Sequence, residues 1–158
     1  MIDIDYIMEL FDWCNSEEVW KKGLELAKDV RCVSAFIQPG YPYGKRVWDK
    51  CAEVFCEKTD DEIEPYLLDL FEWLEDYNWP GALKIRDRLI SFSGERLKSP
   101  FCIFLNEIKQ LSDGDKKRNW CFNLSGLLEN EDLKNSLEKE YVDFLQREKN
   151  LYENGQKR

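Results

Sequence analysis

Hydrophobic positions recur at three- and four-residue intervals from one end of the chain to the other. Near the start, Ile4, Ile7, Met8, Phe11 and Cys14 share one face, and Asn15-Ser16 breaks that stripe and caps the next segment. Val19, Trp20, Leu24, Ala27 and Val30 form a second stripe. From Arg31 to Gly44 the pattern is lost, and Pro39, Gly40, Pro42 and Gly44 with Tyr41 and Tyr43 between them read as a loop. A third helix follows from about Lys45, with Val47, Trp48, Cys51, Ala52 and Phe55 inward. Thr59-Asp60-Asp61-Glu62 reads as a helix start, and Pro65 suits the first turn of a helix striped by Tyr66, Leu67, Leu70, Phe71, Trp73, Leu74 and Tyr77. This helix must stop before Pro80, because the residue preceding a proline is pushed to extended geometry.

Pro80 in turn suits the first position of a fifth helix with Ala82, Ile85, Leu89 and Phe92 inward, ended by Ser93-Gly94. Ser99-Pro100 opens a sixth, carrying Phe101, Leu105, Ile108 and Leu111 and closed by Ser112-Asp113-Gly114-Asp115. Trp120, Cys121, Leu124, Leu127 and Leu128 give a seventh. The last begins near Asp132 and carries Leu133, Leu137, Tyr141, Phe144, Leu145, Leu151 and Tyr152. No segment alternates with period two over a useful length; Val30 to Ile37 is the one short β-like stretch. The pattern predicts an all-α fold of about eight helices, packed as stacked antiparallel hairpins in an α-solenoid-like single domain. That domain spans 1–153, and 154–158 are predicted to be a disordered tail. Trp20-Lys21-Lys22 and Trp48-Asp49-Lys50 each open a stripe with an Ala deeper in the helix, a spacing compatible with a repeat.

Composition narrows the chemistry. The 158 residues are 43% hydrophobic and 14% aromatic, which supplies a core for one domain and excludes disorder as the main state. Histidine is absent, which removes Ser-His-Asp and Cys-His catalysis and every metal site that needs an imidazole. The first residues carry acids where a secretory signal would carry Lys or Arg, and no run is long enough for a membrane span, so the expected location is cytoplasmic. The six cysteines contain no C-x-x-C pair, and four lie in apolar stripes; they read as reduced core residues. No cofactor or metal is expected. The sequon Asn123-Leu124-Ser125 falls mid-helix and reads as coincidence.

Charge gives the most pointed signal. The net charge is −9, and from Asp60 to Asp76 there are eight acids and no Lys or Arg. Acids at a helix N-terminus complement its dipole, but Glu72, Glu75 and Asp76 face the negative pole. They adjoin a corner, Trp73 to Ala82, in which Trp79 can plug the core, Asp76 or Asn78 can turn onto backbone N–H groups, and Gly81 allows close approach. Each residue therefore has a structural reading beside a recognition one, and a solvated acidic helix face would look the same. The pairs Asp69/Glu72 and Glu72/Asp76 lie three and four apart and point the same way, as carboxylates on an amphipathic helix commonly do. Short basic clusters such as Lys116-Lys117-Arg118 sit in an acidic chain, so neither nucleic acid nor membrane is an expected partner.

The run Glu72-Trp73-Leu74-x-Asp76-x-Asn78-Trp79-Pro80-Gly81-Ala82 resembles an uncharacterised family of small bacterial helical domains, matching over roughly Asp60 to Leu89 and including Pro65-Tyr66-Leu67. The resemblance implies a HEAT-type helical repeat and a role as an immunity protein in polymorphic toxin systems; it carries over no catalytic residues. The resulting expectation is a non-enzymatic module that binds a protein partner, a basic toxin, through Asp69, Glu72, Glu75, Asp76, Asn78 and Trp79. One alternative is a helical-repeat enzyme or nucleic-acid-processing protein using Asp76, Trp79 and Arg86, and another is a peptide-binding scaffold. The sequence leaves the oligomeric state open.

Overall fold

Side-chain caps start four of the α-helices in the computed structural model, which describes residues 1–157. Asp3 accepts from the backbone N–H of Tyr6 at the start of α1 (Ile4–Leu10); Ser16 stands at the start of α2 (Glu17–Ala27) but makes no side-chain capping bond, and the Asn15 amide instead donates back to the carbonyls of Glu9 and Leu10. After α3 (Trp48–Glu57), Thr59 and Glu62 form a reciprocal capping box on α4 (Asp60–Ile63). Pro65 sits in a 3₁₀ turn, Glu64–Tyr66, that leads into α5 (Leu67–Trp73). Then come α6 (Ala82–Ile90), α7 (Gly94–Lys109) and α8 (Gly114–Ser125), the last capped by Asp113. Asn130 caps α9 (Glu131–Ser136), and α10 (Lys139–Gln156) closes the chain. Among the described residues there is no strand, and no helix is long and apolar enough to cross a membrane. The fold is all-α.

Several predicted boundaries move. The β-like stretch is a 3₁₀ turn, Val33–Phe36, whose Val33 and Phe36 point into the core. The predicted stop at Ser93-Gly94 is instead the start of α7. The Ser93 backbone N–H donates to Asp60 (3.0 Å), and a Cβ at Gly94 would lie 2.5 Å from Asn130 Oδ1 and 2.6 Å from the Asp132 Cβ, besides striking the Leu133 nitrogen. Pro100, predicted to open a helix, lies inside α7. An interior proline costs about 3 kcal/mol. Leu97, Phe101, Phe104, Leu105 and Ile108 are all buried along the same helix, each worth roughly 1.5–3 kcal/mol, so the stripe wins. The predicted last helix is two, broken at Leu137-Glu138 where the backbone is extended. The tail predicted to be disordered from Asn154 is helical as far as Gln156, and Arg158 lies outside the described residues.

One hydrophobic core runs from Ile7 to Leu145. After α1 packs on α2, contacts skip along the chain: α3 lies on α6, α5 on α7, and α7 on α9, while α8 pairs with α10. The α5/α7, α7/α9 and α8/α10 contacts are next-but-one, as equivalent helices of successive stacked pairs make them, while α3 reaches past the short α4 and α5 to α6. The two Trp-Lys segments share a role. The Trp20 indole N–H donates to the Asp12 carbonyl and that of Trp48 to the Pro39 carbonyl, both at 2.9 Å, so each tryptophan ties down the segment before its helix. Lys50 lies over the Trp20 ring and Lys45 over that of Trp48.

The cysteines are free, but only Cys51 and Cys121 are core residues. Burial pushes the Cys51 thiol far up and that of Cys121 to about 12, leaving both unreactive. Cys102 is half-buried, whereas Cys14, Cys32 and Cys56 are exposed, because their helices turn those positions out of the stripe or end before reaching them. Asn123, in the formal sequon, is buried.

Candidate functional site

The corner between α5 and α6 is built around Trp73. Its ring is fully buried, edge-on to Trp48 and Phe55, and its indole N–H donates to the Pro80 carbonyl (3.0 Å) across the turn. Helix α5 ends at Trp73 instead of reaching Tyr77, and side chains of α8 take over its free carbonyls. The Asn123 amide donates to the carbonyls of Leu74 (2.9 Å) and Glu75 (3.0 Å), and the Asn119 amide also donates to that of Glu75. The Tyr77 hydroxyl donates to the Asn123 carbonyl. The two asparagine amides satisfy carbonyls at the negative pole on which Glu75 and Asp76 sit. Asp76 accepts from the Asn78 N–H (2.8 Å), making the tight turn, and the Trp79 ring packs edge-on to Trp48 with Lys45 over both. Helix α6 starts at Ala82 rather than Pro80, with Gly81 as its N-cap. The Gly81 φ is +82°, and a Cβ there would lie 2.5 Å from the Ala52 Cβ and 2.9 Å from the Trp48 carbonyl oxygen.

The acidic run divides into two halves. Asp60 pairs with Arg88 (2.6 Å), Arg96 bridges Asp61 (2.7 Å) and Glu64 (2.6 Å), and Glu62 serves its own capping box. Arg88 and Arg96 come from α6 and α7, so the N-terminal half of the run is neutralised within the molecule. In the C-terminal half, Glu75 has Lys116 at 3.4 Å, while Asp69, Glu72 and Asp76 have no ion pair among the described residues.

Glu72 and Glu75 line a cleft of about 340 Å³ together with Glu107 of α7. Of the lining aromatics only Trp79 is half-buried; Phe104 and Trp120, edge-on at 5.2 Å, are core residues 4% and 5% exposed. Lys116 is the one cation among the lining residues. Partial burial raises the Glu72 carboxyl above its ordinary range, and the charges of Asp69, Glu107 and Glu75 push it the same way. A raised carboxyl pKa means that the ionised form disfavours the folded state. Glu72→Gln is therefore expected to stabilise the protein at neutral pH, by ~0.2–0.5 kcal/mol per like-charge neighbour relieved. The advantage shrinks as pH falls through the raised pKa and is gone well below 4.5, the ordinary value. Urea unfolding of both proteins at pH 7 and at low pH checks this; a less stable variant at pH 7 would contradict it.

Of the six residues singled out from the sequence, Glu72, Glu75 and Trp79 meet in the cleft. Asp69 lies beside it on α5, and Asp76 and Asn78 make the turn. Glu107, Phe104, Trp120 and Lys116 carry no signal as site residues in the sequence, because nothing local brings α7 and α8 to the end of α5. The alternative trio is not brought together. Arg86 stacks on Tyr77, pairs with Asp87 and lines a separate cleft, while Asp76 is held in its turn.

Neither curated proteins nor solved structures yield a match to this chain. A family model does match, over residues 49–150, from α3 into α10 and across most of the cleft. The chain therefore belongs to the family described as Domain of unknown function (DUF5071).

Proposed function

We propose that the chain is a non-enzymatic protein-binding module, acting in the cytoplasm as an immunity protein that neutralises a basic toxin by direct binding. The observation that carries this reading is the convergence of three carboxylates, Glu72, Glu75 and Glu107, on a cleft lined by Trp79 that holds a single lysine. Like charges are held together there at a cost to stability, which an incoming cationic surface would offset. A net charge of −9 would steer such a partner from a distance. A phosphate-bearing ligand would instead meet three carboxylates at the same place. The resemblance of the Glu72 to Ala82 run adds the toxin-neutralising role.

The test is capture from a lysate on the tagged protein, with washes at low and then high salt and identification of what is retained. The expected result is one stoichiometric basic protein that leaves at high salt, and whose toxicity to cells is relieved when this chain is co-expressed. If the product of the neighbouring gene is supplied and nothing binds, or the bound protein stays toxic, the reading fails. With the partner in hand, Glu72→Lys combined with Glu107→Lys should slow association about tenfold. Circular dichroism would check that the variant keeps its helices.

A further inference from the structure

We draw no further inference here: the strongest candidate, the surface patch at the N-terminal end of the fold where Arg46 ties the exposed Trp13 to the loop carrying the fully exposed Tyr41, is an unpartnered apolar face, and nothing in the structure shows what covers it.

Discussion

Gly81→Ala is expected to destabilise the protein by about 3 kcal/mol, the sum of a left-handed backbone penalty of about 1–2 kcal/mol and an overpacking cost of comparable size. The side chain would have nowhere to go: the Cβ meets Ala52, the Trp48 carbonyl and, at 3.3 Å, the buried ring of Trp73. Two other glycines calibrate the value. Gly44 has φ +63° with nothing within 4 Å of the place a methyl would take, so alanine there should cost only the backbone share, about 1 kcal/mol. Gly40 has open space and no positive φ, and alanine there should be close to neutral. Urea unfolding of the three variants checks the order. A Gly81→Ala protein as stable as Gly40→Ala would mean that α6 does not approach α3 as closely as described.

Asn123→Ala carries the second large effect, a loss of about 2–3 kcal/mol. Its amide is buried and gives two hydrogen bonds to the carbonyl end of α5, and the Leu74 carbonyl has no other side-chain donor among the described residues. Asn119→Ala should cost less, because Glu75 keeps its bond from Asn123. Asn123→Asp should be the worst of the three, since it sets a carboxylate against carbonyl oxygens at the negative end of a helix. The same substitution loosens the segment from Leu74 to Tyr77 and with it the wall of the cleft that carries Glu75. Thermal unfolding ranks the three; an Asn123→Ala variant matching Asn119→Ala would refute the capping role.

What the sequence disclosed follows the range of the forces involved. Helical stripes and the Thr59-x-x-Glu62 start are local, and they are legible because spacing and capping act within one or two turns. Ser93-Gly94 misleads because serine and glycine mark both ends of helices, and the deciding contacts come from Asp60 and from Asn130 and Leu133, more than thirty residues away in either direction. The acidic run reads as unopposed for the same reason: Arg88 and Arg96, which neutralise its first half, lie 28 to 35 residues downstream. In the sequence Glu107 is indistinguishable from any polar-face glutamate on α7. Only the packing of α5 on α7 sets it beside Glu72, and that contact skips a helix. The half of the acidic run in which only Glu75 has an intramolecular cation is the half whose Glu72 and Glu75 line the cleft.

If this cleft is where the partner binds, reversing its charge must release the partner. The most direct measurement compares capture by the wild-type chain with capture by the Glu72→Lys, Glu107→Lys double variant, both verified as folded, in the same lysate and at the same low salt. The stoichiometric basic protein held by the wild type should be lost from the variant, while a Glu129→Lys control retains it. Equal recovery on the wild type and the double variant would contradict this and place the interface elsewhere on the molecule.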